Sequence, residues 1–330
     1  NEAPMVQYLR LAAFVLLLAP AWAVAQSSGY PSRPVKLVIP VPPGGVQDLL
    51  ARGIGQELSA LWGQSVITEN RPGAGGVSAA DAVAKAAPDG YMIFMADEVP
   101  LTITPLLMSR LPYDPLNDFT PVVALVQSSH VLVVATGAPY GSVKELLAAA
   151  RSRPGALNYG TFGAGSTGHL NTEELAALAG IKVTHVPYKG GADVLRALVA
   201  GDIQFAITGL TPAQPLLKQG RLKAIAYTGA RRLVSLPDVP TMAEAGVPGF
   251  QTRSWFGWMV PAGTPRPVVE RIAADAGRVI ATNEFRDKYL APAGVEVLNL
   301  GPDQFPSLLA ETRAKYQAQV RRLGFKVSPP

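Results

Sequence analysis

Two glycine-bearing turns hold the residues best placed to do chemistry. Pro42-Pro43-Gly44-Gly45 separates an apolar run from an amphipathic segment, and Gly163-Ala164-Gly165-Ser166-Thr167-Gly168 repeats that arrangement further along. Glycine lets backbone N–H groups approach a ligand closely, and a helix N-terminus adds partial positive charge, so the chemistry on offer is anion capture. An ordinary tight turn accounts for Pro42–Gly45 equally well. Gln47 and Asp48 fall in the first helical turn, where Asp48 has the position of a cap. The second turn is a literal GxGxxG, but a dinucleotide fingerprint also wants an acid ending the next strand to hold the ribose. That strand ends Pro187-Tyr188-Lys189, with Asp193 already inside the following helix. The turn therefore reads as a second anion cradle, with Ser166 and Thr167 as extra donors.

Catalytic readings are weaker. Ser166 and His169 have the types of a nucleophile and its base, but three residues apart at a helix start is common spacing, and no GxSxG elbow is present. His130, His169 and His185 are far apart in the chain and lack an HExxH partner, and His185 falls inside an apolar strand. With no cysteine, thiol nucleophiles and thiolate metal sites are excluded; with no Gly-Lys dipeptide, so is a Walker A loop. Nothing in the sequence calls for a cofactor.

The elements that must position these turns alternate almost throughout. Strands are expected at Val35–Val41, Ser65–Asn70 and Tyr91–Ala96, with helices at Val46–Trp62 and Val77–Ala87. The first helix carries apolar residues at Leu49, Leu50, Ile54, Leu58 and Leu61. Pro121–Val126 and His130–Ala135 are extended, and the pattern then restarts. Helices follow at Ser142–Arg151 (Ser142 and Glu145 forming a capping box), Thr167–Ala179, Ala192–Ala200 and Pro215–Gln219. Strands interleave at Leu157–Phe162, Lys182–Pro187, Ile203–Thr208 and Leu222–Tyr227. Such alternation implies parallel sheets with helices on both faces. The tail adds Ser254–Val260, Pro265–Ala281, Val295–Leu300 and Gln304–Leu323, too little to fold alone, so it is expected to complete the first block. Crossings near 127 and 254 then form a two-strand hinge between two lobes, with ligands expected in the cleft.

At the N-terminus, Arg10, the apolar run Leu11–Leu18 and Ala21-Trp-Ala-Val-Ala25 describe a cleavable signal peptide over residues 1–25. The run is shorter than the ~20 residues a bilayer requires. The expected product is exported to the periplasm. Its ~305 residues exceed the usual single core, and 48% hydrophobic against 16% charged residues excludes disorder. The formal charge of +5 is scattered, without a basic stripe interleaved with aromatics, so a nucleic-acid partner is not expected.

Several segments together carry a family resemblance: Tyr30-Pro-Ser-Arg-Pro34, Pro42-Pro-Gly-Gly45, Glu69-Asn-Arg-Pro-Gly-Ala-Gly-Gly76, Ala86-Ala-Pro-Asp-Gly-Tyr91 and Leu111-Pro-Tyr-Asp-Pro115. Gly165-Ser166 with His169-Leu170, His185-Val-Pro-Tyr-Lys-Gly-Gly191, Leu236-Pro-Asp-Val-Pro-Thr241 and Pro261-Ala-Gly-Thr-Pro265 continue it in order. The chain resembles the Bug family, periplasmic substrate-binding proteins of tripartite tricarboxylate transporters. The resemblance implies an α/β type II periplasmic-binding-protein fold, a Venus flytrap with lobe 1 at 26–127 plus 255–330 and lobe 2 at 128–254. It implies a non-enzymatic monomer that captures a carboxylate between the Pro-Pro-Gly-Gly loop and the Gly-Ser loop. The partner is a set of membrane transporter subunits or, alternatively, a sensor kinase; an exported Ser/His hydrolase is the rival class.

The ligand-binding residues expected on this basis are Pro43, Gly44, Gly45, Gln47, Asp48, Asp97, Glu98, Phe162, Gly165, Ser166, Thr167, His169, Tyr188, Gly191, Thr208, Trp255 and Phe256. Several depart from the family's usual types. Val46-Gln47 replaces two small residues, Asp97-Glu98 replaces a small or neutral pair, Phe162 stands for a serine, and Thr208-Gly209 stands for Asp-Ser. Two acids lining the cleft would repel a second carboxylate and favour an ammonium or other donor; facing solvent, they would do neither. Phe162, Trp255 and Phe256 offer ring stacking, or are plain core.

Overall fold

The computed structural model describes residues 29–325, so the expected signal peptide lies outside the described residues. A six-stranded sheet is built from β1 (Val35–Ile39), β2 (Val66–Asn70), β3 (Met92–Ala96), β4 (Phe119–Ser128), β10 (Ser254–Pro261) and β11 (Val295–Leu300), in the order β11-β4-β10-β3-β1-β2. β1 is parallel to β2 and β3, but β10 runs antiparallel to both β3 and β4, and β11 antiparallel to β4. The sheet is therefore mixed, which corrects the expectation of parallel sheets. The reason is the late return of β10, whose eight residues are all buried. A strand buried on both faces shows no alternation that would reveal its direction.

The second sheet repeats this mixture. β5 (His130–Ala135) lies antiparallel between β8 (Ala206–Gly209) and β9 (Leu222–Tyr227), while β6 (Asn158–Thr161) and β7 (Thr184–Pro187) pair in parallel. An isolated parallel bridge from Tyr159 to Phe205 joins the two parts.

Helices cover both faces. On one face of the six-stranded sheet, α1 (Val46–Trp62) packs Leu50, Ala51, Ile54 and Leu58 beside Val269, Ile272 and Ile280 of α7 (Arg266–Ala281). Leu50, Ile54 and Leu58 are spaced by four and share a stripe; Leu49 falls off it and is exposed, while Leu61, on the stripe but in the last turn of the helix, is exposed as well. The other face takes α2 (Val77–Ala84) and Phe305 from α8 (Phe305–Leu323). The second sheet is wrapped by α3 (Val143–Ser152), α4 (Thr167–Ala179), α5 (Gly191–Ala200) and α6 (Leu210–Lys218). Ser142 caps α3 by accepting the Glu145 N–H. Among the described residues, no helix is long and apolar enough to cross a membrane.

Two segments cross between the sheets, Ser129 outward and 228–253 on return. Ser254 pairs with Ser128, so the crossings lie side by side. They are bolted by a buried network in which His130 N–H donates to Thr228 Oγ1 at 2.8 Å, while Thr252 Oγ1 lies 2.6 Å from Thr228 Oγ1 and 2.7 Å from His130 Nδ1. Burial pushes the His130 pKa down to about 4.

Candidate functional site

The loop between β1 and α1 is shaped by Gly44, at φ 99°, and by the Asp48 carboxylate. Asp48 accepts from the Gly44 N–H at 3.1 Å, from Arg52 Nε at 3.0 Å and from Asn70 Nδ2 at 2.9 Å. Burial alone would raise its pKa, but these donors outweigh burial and hold it below the usual value. Asp48, expected among the ligand-binding residues, is thus saturated by the protein and acts on a ligand only by fixing the loop. Gln47 is also buried, its Nε2 donating to Met95 O at 2.6 Å while its Oε1 has no partner. Pro43 and Gly44 are exposed, and Gly45 precedes α1 without any side-chain cap. The first-turn amides of α1 therefore remain open to an anion.

At the C-terminal end of β3, the two acids have different surroundings. Glu98 is 1% exposed; its Oε1 accepts from Ser254 Oγ at 2.6 Å and Thr167 Oγ1 at 3.4 Å, and its Oε2 from the Trp255 N–H at 3.3 Å. Burial raises its pKa, and the Ser254 hydrogen bond opposes that rise. The expectation that Glu98 presents its charge to the cleft is corrected, because its oxygens are used to join β3 to β10 and to α4. Asp97 is only partly buried. Its Oδ1 accepts the Val99 N–H at 2.9 Å, and burial together with the Glu98 charge raises its pKa to about 7.

Across the lobe boundary, Ser166 caps α4, accepting the His169 N–H and donating to Gly163 O at 2.8 Å. His169 Nδ1 accepts the Gly165 N–H at 3.1 Å. With Nδ1 holding a backbone amide and the serine proton committed to Gly163, Ser166 and His169 do not form a nucleophile–base pair. Instead His169 stacks on His185, with ring centroids 3.9 Å apart, and His185 stacks on Tyr159. Burial lowers both histidine pKa values to about 4, with each charge opposing the other at His185. The sequence placed these residues 16 apart; only the parallel pairing of Tyr159 with His185 brings them together. Thr161 Oγ1 at 2.6 Å from His185 Nε2 completes the cluster.

The remaining candidates divide. Gly191 opens α5, whose N-cap Gly190 has no side-chain cap, and Tyr188 is half-buried beside it. A Cβ placed on Gly190 would lie 4.0 Å from Pro42 Cγ, so the loop leading into α1 and the uncapped start of α5 approach one another across the boundary. Phe162 is 41% exposed beside Gly163. Thr208 is buried within β8, in register with Val131. Trp255 packs edge-on against Phe305 and donates Nε1–H to Thr312, and Phe256 lies in the sheet core. These two aromatics are therefore core and not a stacking surface for a ligand ring.

The two halves touch at these loops. Leu107 packs on Gly165, where a Cβ would meet Leu107 Cδ1 at 2.6 Å, and Gln319 Nε2 of α8 donates to Leu170 O at 3.0 Å. An open depression of about 510 Å³ lies elsewhere, on the outer face between Arg266 and Asp303.

A mixed sheet and a second sheet joined by paired crossings, with open helix N-termini between them, define a two-lobe periplasmic solute-binding protein. The chain belongs to the tripartite tricarboxylate transporter receptor family, whose model matches residues 50–325. It is 37% identical over 289 residues to a protein from the tcbD-tcbE intergenic region of Pseudomonas sp. strain P51, covering 87% of this chain and 85% of the relative. It is 31% identical to Protein BugT of Bordetella pertussis, covering 98% and 99%. Among solved structures, R. palustris Rpa4515 with adipate superposes with a TM-score of 0.86 at 36% identity, covering 91% of this chain and all of that one. MatC from Rhodopseudomonas palustris with bound malate gives 0.81 at 33% identity, covering 88% of this chain and all of that one.

Proposed function

We propose that this chain is a periplasmic substrate-binding receptor, exported by removal of residues 1–25, that closes two lobes over a small organic carboxylate. Lobe 1 comprises 26–127 with 255–330 and lobe 2 comprises 128–254; the protein works as a monomer and hands its ligand to the membrane subunits of a tripartite tricarboxylate-type transporter. The observation that carries this reading is a pair of uncapped helix N-termini, α1 after Gly45 and α5 after Gly190, whose leading loops approach one another between the lobes. Capture by neutral backbone dipoles suits a receptor that must release its ligand, since no buried cation has to be desolvated on each cycle. Adipate and malate, the ligands of two relatives, are carboxylates, which supports the ligand class.

A thermal-shift panel of mono- and dicarboxylates, amino acids and neutral analogues tests this. A carboxylate at a hundredfold excess over its Kd should add about 2.7 kcal/mol of stability. If neutral analogues raised the melting temperature while every carboxylate left it unchanged, anion capture would be wrong.

A further inference from the structure

The end of β3 is short of donors. Asp97, at the C-terminal end of β3, remains partly exposed. Beyond the Val99 N–H, no hydrogen bond reaches its carboxylate, and no basic side chain forms an ion pair with it, among the described residues. Gln47 reaches the same strand end, its Nε2 donating to Met95 O two residues before Asp97, with Oε1 buried and unpartnered. Lys315 lies near enough to favour the charge of Glu98 but makes no ion pair with either acid. The C-terminal ends of the neighbouring parallel strands β1 and β3 therefore carry an acid and an amide oxygen, both acceptors, on the same side of the sheet as the anion-seeking amides of α1. A buried acceptor left without a donor is costly, and a carboxylate more so.

We propose that Asp97, with Gln47 at the same strand end, receives an ammonium group, so that the ligand is an amino carboxylate and not a dicarboxylate. This rests on the carboxylate-receptor reading above. An ammonium supplies three donors and a compensating charge, whereas a second carboxylate would meet Asp97 as a like charge. Glu98 takes no part, since the hinge and α4 already satisfy it.

The test is calorimetric titration at pH 7.5 of matched pairs, an ω-amino acid against the α,ω-dicarboxylate of the same length, over three to six carbons, with the plain monocarboxylates as reference. The best amino acid should bind at least about tenfold more tightly than its dicarboxylate partner. Asp97→Asn should abolish that preference, bringing the ratio of the two affinities to about one. A dicarboxylate that binds as well as or better than its amino partner to the wild-type protein would overturn the ammonium site and leave the receptor reading standing. Silence from every carboxylate in both proteins would instead remove the receptor reading, and the ammonium site with it.

Discussion

At the residue scale, the two neighbouring acids show how little identity alone says about role. Asp97 and Glu98 read alike in the sequence, yet one is tied to Ser254, Thr167 and the Trp255 amide while the other keeps an oxygen without a protein donor. Burial and the Glu98 charge oppose ionisation of Asp97 and raise its pKa from the ordinary 3.8 to about 7 in the folded chain. Between those two values the folded state holds a proton that the unfolded chain has released. The stability this contributes is fully present below about pH 4 and is lost as pH rises through 7. His130 works in the opposite sense: with its folded pKa lowered to about 4, its contribution is present above 6.5 and lost as pH falls toward 4. Asp97→Asn should therefore raise the melting temperature by about 2–5 °C at pH 8 and leave it unchanged at pH 4. Equal shifts at the two pH values would mean that Asp97 ionises as freely as it does in the unfolded chain. Of the titratable groups near it, Tyr113 and Tyr316 stay neutral across that window because burial raises their pKa values. Burial raises the Glu98 pKa too and gives it a pH dependence of the same sign, so the Asp97 effect is read as the difference between the wild type and Asp97→Asn.

At the element scale, the helices and most strands were legible because amphipathic periodicity and glycine punctuation are local signals. Val46–Trp62, Thr167–Ala179, His130–Ala135 and Leu222–Tyr227 have the limits the sequence implies. Strand direction was not legible, since the fully buried Ser254–Pro261 run looks the same whichever way it is laid. Nor was the double duty of α8. Its Phe305 packs under the first sheet, while Tyr316 and Val320 join Ile103 and Leu170 of α4 in a small cluster. Such a role depends on long-range packing that no window of sequence contains. Within that cluster the Tyr316 hydroxyl is buried near the Glu98 carboxyl without reaching good hydrogen-bond geometry, and burial, then the charges of the two acids and the approach to Glu98, drive its pKa well up. A buried hydroxyl that finds no acceptor costs about 1–3 kcal/mol, while the ring supplies the packing. Tyr316→Phe should accordingly leave stability unchanged or raise it by about 1 kcal/mol, read by urea denaturation at pH 7. A loss above about 1 kcal/mol would show that the hydroxyl serves a bond to the Glu98 carboxyl.

At the scale of the whole molecule, loops of the two halves are in contact. Leu107 lies on Gly165, Pro42 faces Gly190, and the Thr167 hydroxyl reaches Glu98. At Gly165 the φ of 75° disfavours any side chain, and a Cβ there would lie 2.6 Å from Leu107 Cδ1, so Leu107 would have to move for the loops to keep their contact. Gly165→Ala strains the turn whether or not the lobes meet, and in addition it props them apart. In a protein that opens when empty, X-ray scattering should give a larger radius of gyration without ligand than with it. Ligand should bring the wild type to the closed dimension. The alanine variant should stay near the open value at the same ligand concentration and bind at least about tenfold more weakly, the weakening that about 1.4 kcal/mol of added cost in the closed state produces. The strain within the turn is separated from the propping effect by Leu107→Ala. That substitution makes room for the new methyl, so the double variant should recover compaction while keeping the cost of a non-glycine residue at positive φ. If Gly165→Ala compacted fully on its own, Leu107 and Gly165 would not be a contact that closure depends on.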